Sequence, residues 1–154
     1  MRIAIGSDHA GFEQKQMIAD YIANELGHEV IDLGPDSDDR CDYPDYGEKV
    51  GRCVASGDAD RGVCVCGTGI GISLAAGKVA GIRASSITTP DFAELFRLHN
   101  DGNVIGLSGR FVDPEVNREI VKVFLSTDFE GGRHSQRVEK IMRLDVTGKD
   151  IAVD

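Results

Sequence analysis

Short apolar segments alternate with amphipathic stretches along most of this 154-residue chain. Apolar runs predict five strands, at Arg2–Gly6, Glu29–Leu33, Val63–Cys66, Ile82–Ser86 and Asn103–Leu107. Helical periodicity predicts helices at about Glu13–Leu26, Tyr46–Ser56, Gly71–Val79, Pro90–His99, Pro114–Ser126 and Ser135–Arg143. Strands that alternate with helices form parallel sheets covered on both faces. The pattern therefore predicts an α/β fold, a three-layer α/β/α sandwich with a five-stranded parallel sheet, Rossmann-like in outline.

Composition restricts the class of partner. The net charge of −9 argues against nucleic acid as a ligand. No apolar stretch approaches the roughly 20 residues that span a bilayer. The N-terminal residues already resemble a strand, which argues against a signal peptide. We therefore expect a cytoplasmic protein of one domain, with no nucleic acid or membrane partner.

The four cysteines are Cys41, Cys53, Cys64 and Cys66, and they do not form the paired C-x-x-C units of zinc sites. Disulfides are not expected in a reducing compartment. Cys53 and Cys64 are predicted to be small buried apolar residues.

A glycine-rich turn follows the third predicted strand, which ends on Cys66. Glycines let backbone N–H groups approach an anion closely, and a helix N-terminus adds partial positive charge. The same environment favours a thiolate, which is a base. The segment 63–73 therefore offers both a base and an anion cradle, although a purely structural strand-to-helix turn would use the same glycines.

Nucleotide-binding fingerprints do not fit. Started at Gly67 or Gly69, a G-x-G-x-x-G motif would end on Ile72 or Leu74 instead of glycine. The turn after the first strand has glycines at P-loop spacing, but Phe12-Glu13 follows where a lysine and a hydroxyl residue are needed. Dinucleotides and nucleoside triphosphates are therefore poor candidate ligands.

Polar residues follow several of the predicted strands. Asp8-His9 follows the first strand, Cys66 begins the turn after the third, and Arg110 follows the fifth. The carboxyl ends of parallel strands meet at one edge, so these groups are expected together. His99-Asn100 ends a helix, which places it at the opposite edge. Either the chain turns back there, or these two residues serve the site of a second subunit.

A basic cluster comes late in the chain. Arg133 and Arg137 are four residues apart and would share one face of a helix. Two guanidinium groups on one face suit a phosphate. The alternative is a solvated helix start that pairs with Glu139.

Taken together, the motifs resemble the type B ribose-5-phosphate isomerase family, which also includes allose-6-phosphate and galactose-6-phosphate isomerases. The matching segments, in chain order, are Asp8-His9-Ala10-Gly11-Phe12, Asp42-Tyr43-Pro44, Cys66-Gly67-Thr68-Gly69-Ile70-Gly71, Gly81-Ile82-Arg83-Ala84, His99-Asn100-Asp101 and Gly131-Gly132-Arg133-His134. The resemblance covers residues 1–143, taken as the isomerase domain, and leaves residues 144–154 as an unmatched C-terminal tail.

The resemblance implies a homodimer or a dimer of dimers with active sites shared between subunits. It implies a sugar phosphate substrate and neither a metal nor an organic cofactor. The implied reaction interconverts ribose 5-phosphate and ribulose 5-phosphate through an enediolate. A six-carbon sugar phosphate of the same family remains an alternative substrate, and a non-catalytic phosphate-binding module remains an alternative function.

The resemblance also implies roles for individual residues. In the chemistry, Cys66 would be the proton acceptor, His99 would open the sugar ring with help from Asp8, and Thr68 would manage protons on the substrate oxygens. In binding, His9 and Tyr43 would contact the sugar, and the remaining groups would hold anions: the backbone of Gly67, Gly69, Ile70 and Gly71 with Asn100, and the side chains of Arg110, Arg133, His134 and Arg137. One branch of the family uses a glutamate base where this chain has Ile72, so the thiol branch is the better match.

Overall fold

The computed structural model describes residues 1–145 and contains one five-stranded sheet. The strands are β1 (Arg2–Ser7), β2 (Glu29–Asp32), β3 (Arg61–Cys66), β4 (Ala84–Ser86) and β5 (Val104–Ser108). Their order in the sheet is β2-β1-β3-β5-β4, and every neighbouring pair is parallel. The α/β fold and the parallel sheet are as predicted, with strand ends shifted by one or two residues.

Six helices connect or follow the strands: α1 (Phe12–Asp20), α2 (Tyr43–Ala55), α3 (Ile70–Gly77), α4 (Pro90–Asn100), α5 (Pro114–Ser126) and α6 (Ser135–Met142). Helix α1 continues into a π-helical turn at Tyr21–Glu25, so the predicted long first helix is interrupted. Helix α2 begins three residues before its predicted start, since Pro44 suits a first helical turn. Thr89 and Asp113 cap α4 and α5 through their side-chain oxygens.

Strand β3 is buried on both faces, which explains its continuous apolar sequence. Val63 and Val65 face a core formed with α1, α4 and α5. Cys64 and Cys66 face a second core formed with α2 and α3. These two layers of helices confirm the predicted sandwich. Cys64 is buried as expected, but Cys53 is only partly buried, because α2 lies at the molecular surface.

Strand order creates a crevice at one edge of the sheet. From β1 the chain moves to β2 on one side, and it later returns to β3 on the other side of β1. Connections that leave in opposite directions open a gap outside the carboxyl ends of two such strands, where α/β proteins bind ligands.

No helix within residues 1–145 is long and apolar enough to cross a membrane. The predicted tail falls mostly on residues 146–154, outside the described part.

Candidate active site

The sulfur of Cys66 lies at the carboxyl end of β3, directly beside the crevice. The side chain is buried, and its Sγ accepts a hydrogen bond from the backbone N–H of Gly69 at 3.2 Å. Helix α3 begins one residue later, so its N-terminal partial positive charge faces the same region. Both features stabilise negative charge on the sulfur.

Gly69 makes this turn possible. Its φ is +78°, and a Cβ at this position would lie 2.8 Å from the backbone carbon of Leu107 and 2.9 Å from that of Gly106. Glycine therefore serves two needs here, a left-handed backbone and a close approach to β5.

We expect Gly69→Ala to lower the free energy of unfolding by more than the ~1–2 kcal/mol that a left-handed L-residue costs. The excess comes from the clash with the β5 backbone. Gly57 is a matched control, because its φ is +81° but nothing lies within 4 Å of an added Cβ. Urea unfolding of both variants measures the difference. If both variants lost the same free energy of unfolding, the close approach of Gly69 to β5 would contribute nothing to stability.

The rest of the turn is held by local hydrogen bonds. The N–H of Ile70 donates to Thr68 Oγ1 at 3.2 Å, and the carbonyl of Gly67 accepts from Ser108 Oγ at 2.8 Å. The ring of Tyr43 lies against Gly71, since a Cβ there would be 2.8 Å from ring carbons. Of the predicted cradle, the amides of Gly69 and Ile70 are bound to Cys66 and Thr68 in this structure.

Asp8 and His9 lie at the same edge, on the β1 side of the crevice. The N–H of Asp8 donates to the carbonyl of Val65, next to Cys66, at 3.2 Å. The buried Asp8 carboxylate accepts from the N–H of Gly11 at 3.0 Å. The Nδ1 atom of His9 lies 3.1 Å from the carbonyl oxygen of Cys41, which fixes the ring and leaves Nε2 on the far side.

Arg110 completes this edge from β5. Its N–H donates to the carbonyl of Gly67 at 3.2 Å, and its side chain lies against Gly67. The structure therefore brings together one group of predicted residues at the carboxyl edge, which we call the carboxyl half-site: Asp8, His9, Tyr43, the turn 66–71 and Arg110.

His99 and Asn100 lie at the opposite, amino edge. Arg61 begins β3 at that edge and donates to the carbonyl of Thr127 at 3.3 Å. The segment after Thr127 reaches α4 through a hydrogen bond from Glu130 N–H to the carbonyl of Leu98 at 3.2 Å. The length of β3, roughly 16 Å at 3.3 Å per residue, separates this edge from Cys66. Within one chain, His99 is therefore far from Cys66. This agrees with the expectation that a residue at the end of a helix lies at the opposite edge of the sheet.

His99 is held by a ring stack. Its imidazole lies 4.3 Å from that of His134, with 15° between the ring planes. The Nε2 atom of the buried His134 lies 3.3 Å from a carboxylate oxygen of Glu130 and 3.4 Å from Nε of Arg133. We call His99, Asn100, Arg133, His134 and Arg137 the amino half-site.

Three side chains of this region are of types that bind metal ions. His99, Glu130 and His134 each place one ligand atom within 4.8 Å of the others. A metal ion binds imidazole nitrogen in the plane of the ring. Nearly parallel stacked rings direct their lone pairs along separate planes, and the Arg133 guanidinium would repel a cation. The cluster is better explained as a support for His99.

The predicted arrangement of the two late arginines needs correction. Arg133 lies in a 3₁₀ turn, Gly132–His134, and α6 begins only at Ser135. Arg133 and Arg137 therefore do not share one face of a regular α-helix. Gly131 and Gly132 both have positive φ, which forces the chain into this turn before the helix starts.

Comparison with known proteins agrees with this geometry. Residues 3–141 match the family model described as Ribose/Galactose Isomerase. The chain belongs to this isomerase family. It is 47% identical over 144 residues to ribose-5-phosphate isomerase B of Escherichia coli K12, a match that covers 94% of this chain and 96% of that protein.

Solved structures of related isomerases have the same fold. Ribose-5-phosphate isomerase B of Clostridium thermocellum superposes with a TM-score of 0.91 at 47% identity, covering 94% of this chain and 97% of that one. The Mycoplasma genitalium enzyme, solved with bound ribulose-5-phosphate, gives 0.87 at 42% identity, covering 92% and 94%. The predicted resemblance is confirmed over nearly the whole chain.

In this family member the two cysteines of β3 differ in chemistry. Burial, and secondarily the charge of Cys66, raise the pKa of Cys64, which therefore stays a neutral thiol at neutral pH. Cys64 also lies two residues before Cys66 in β3, further from the carboxyl end of the strand and from the crevice. Of the two thiols on this face of β3, only Cys66 lies at the carboxyl edge.

Glu130 and Cys41 hold two residues of the half-sites, although neither was predicted as a site residue. Glu130 contacts His134, and the backbone of Cys41 holds His9. The four-residue spacing of Glu130 and His134 is the one sequence signal for the first contact. The second contact has none, because Cys41 acts through its backbone carbonyl and its side chain is irrelevant.

Proposed function

We propose that this chain is an aldose–ketose isomerase that interconverts ribose 5-phosphate and ribulose 5-phosphate. The observation that carries the proposal is the Cys66 sulfur, which accepts the Gly69 N–H at the start of α3 in the crevice between β1 and β3. The names of the related proteins support the same substrate pair, since one of their structures holds ribulose-5-phosphate.

Cys66 is the base. As a thiolate, it removes the proton from C2 of the open-chain aldose, which leaves an enediolate. The same sulfur returns the proton to C1, while the hydroxyl proton moves from O2 to O1. Thr68 follows Cys66 by two residues in the same turn and handles this exchange between the oxygens. Positioned proton transfer of this kind typically contributes about 10²–10⁴-fold to the rate.

Backbone amides stabilise the enediolate. The first-turn N–H groups of a helix have no carbonyl four residues earlier to bind. Gly71 and Ile72 present such groups in the first turn of α3, which begins four residues after Cys66. A pre-oriented donor of this type is worth roughly 3–4 kcal/mol in the transition state. Gly69 has a different part in this scheme, because its N–H stabilises the thiolate.

Ring opening needs a second chain. An imidazole can both donate and accept a proton, but His99 lies at the amino edge, a strand's length from Cys66. We infer a homodimer, alone or as half of a dimer of dimers, in which the amino half-site of one chain faces the carboxyl half-site of the other. Asp8 then assists His99 of the partner subunit, and Asn100 of the partner subunit joins the anion hole.

Helix α3 supplies a surface for that second chain. It carries no charged residue, and Ile70 and Leu74 are 55% and 65% exposed. Helices apolar on all sides are normally buried. A groove of about 410 Å³ separates α3 from the edge strand β4 and is lined by Leu74 and Ala84. This surface begins at Ile70, which belongs to the turn 66–71. A second chain that covers the surface would therefore also lie next to the crevice.

Phosphate binding is divided between the two half-sites. Arg110 lies at the carboxyl edge, whereas Arg133 and Arg137 come from the partner subunit with His134. Guanidinium groups bind phosphate oxygens in pairs. The phosphate is remote from C1 and C2, so its binding energy serves to hold the flexible open chain in register, with His9 and Tyr43 beside the sugar.

The four thiols are all free of disulfides, which fits a reducing compartment. We therefore place the enzyme in the cytoplasm.

Measured kcat/KM for ribose 5-phosphate, allose 6-phosphate and galactose 6-phosphate tests the proposal. We expect ribose 5-phosphate to be the best substrate, and the activity to survive dialysis against EDTA because no step uses a metal. Proton NMR of the sugar detects the ketose directly.

Faster turnover of either six-carbon substrate would assign the chain to another branch of the family. Binding of all three sugars without turnover would favour a phosphate-binding module. A phosphate-binding module would account for the glycine-rich turn and the arginines, but it would give Cys66 and His99 no role.

A further inference from the structure

The end of α4 depends on an unusual residue. Asp101 has φ +46° and ψ +42°, and within residues 1–145 it is the one non-glycine residue with positive φ. Glycine usually occupies this position after a helix, because a Cβ disfavours the left-handed backbone. An unfavourable backbone that persists at one position indicates that its side chain is needed there.

Two arginines hold the Asp101 side chain. Arg97 Nη1 donates to one carboxylate oxygen at 2.9 Å, and Arg83 Nη2 donates to the other at 2.9 Å. Arg83 Nε also donates to the Asp101 carbonyl at 2.8 Å. We call Arg83, Asp101 and Arg97 the Asp101 clamp. A glycine at position 101 would relieve the backbone but remove the carboxylate to which both guanidinium groups donate.

The clamp connects the elements that carry the amino half-site. The buried Arg97 also donates to the carbonyl of Thr127 at 3.0 Å, where the segment that leads to His134 begins. Arg83 Nη1 contacts the sulfur of Met142, in the helix that carries Arg137, at 2.9 Å. The Asp101 carboxylate thus binds two arginines, and these arginines in turn contact Thr127 and α6.

We propose that the Asp101 clamp is the positioning unit for His99 and Asn100. It ends α4 immediately after these two residues, and through Thr127 it holds the segment whose His134 stacks on the His99 ring. None of its members needs to touch the substrate. This inference rests on the proposed isomerase function, in which His99 opens the sugar ring.

Two substitutions at one position test the clamp. Asp101→Gly suits the left-handed backbone and removes the carboxylate, whereas Asp101→Asn keeps the shape and removes the charge. We expect both to lower kcat by about ten- to a hundredfold, the usual effect of a misplacement near 1 Å, and to change KM little. Ile22→Ala is the control, because it truncates a buried core side chain in the π-helical turn after α1, which carries no residue of either half-site. At a similar loss of Tm it should keep kcat.

Histidine NMR provides a readout independent of turnover. The chain has four histidines, so the ring signals of His99 and His134 can be assigned by substitution. Loss of the stack in both Asp101 variants should shift these signals toward exposed values, while the Ile22→Ala spectrum should match wild type. Wild-type kcat in Asp101→Gly, or unchanged ring signals in both variants, would overturn the proposal. If the wild type lacked isomerase activity, the proposed function would fall, and the ring signals alone would decide the clamp.

Discussion

Replacing Cys66 with alanine is expected to lower kcat for ribose 5-phosphate by roughly 10²–10⁴-fold. The change removes the thiol that the mechanism uses as the base, together with the acceptor of the Gly69 N–H. Phosphate contacts and the turn backbone remain, so sugar phosphate should still bind. Steady-state kinetics measure the loss in turnover, and calorimetry with ribose 5-phosphate measures binding.

Cys64→Ala is the matched control for this experiment. Cys64 lies two residues earlier on the same face of β3, and it is buried with its pKa raised. Its removal costs packing in the core but should leave kcat unchanged. Near-normal turnover in Cys66→Ala would exclude Cys66 as the base. Equal losses in both variants would instead point to a structural effect of either substitution on β3.

Heterodimers that combine Cys66→Ala with His99→Gln are expected to recover activity that neither homodimer has. Each proposed site takes its carboxyl half from one chain and its amino half from the other. In such a heterodimer one site has both defects and the other has none, so activity should return to about half of the wild-type value per dimer. Co-expression with two affinity tags allows purification of the mixed species for kinetic assay.

The complementation has an internal control. Cys66→Ala and Asp8→Ala both damage the carboxyl half-site, and a heterodimer of these two variants has a defect in each site. It should stay inactive. If the first heterodimer were also inactive, the result would contradict sites shared between chains.

Arg137→Ala is expected to have a smaller effect than His99→Gln. We expect this variant mainly to raise KM, and its heterodimer with Cys66→Ala to recover activity at low substrate concentration.

Much of the carboxyl half-site could be predicted without coordinates. Cys66 ends an apolar strand, glycines follow at once, and a parallel sheet gathers Asp8 and Arg110 at the same edge. These features depend on residues close in sequence or on a rule that holds for every parallel sheet. The correct placement of His99 at the other edge followed from the same rule.

Other features required the fold itself. The pair Arg133 and Arg137 has helical spacing, but Arg133 lies in the 3₁₀ turn that precedes α6, and the positive φ values of Gly131 and Gly132 set that turn. Asp101 looks like an ordinary helix-end aspartate in the sequence. Its importance comes from Arg83, 18 residues earlier, which only the pairing of β4 with β5 brings into contact.

The alternating pattern by itself determined a parallel sheet between helices, since local periodicity specifies elements and their burial. It also determined which residues stand at strand ends. Only the tertiary structure decided that β1 and β3 are neighbours, so that Asp8 lies beside the Cys66 turn, and that the Gly69 amide points at the Cys66 sulfur. Strand order depends on contacts between distant segments, and a hydrogen bond depends on atomic positions that no spacing encodes.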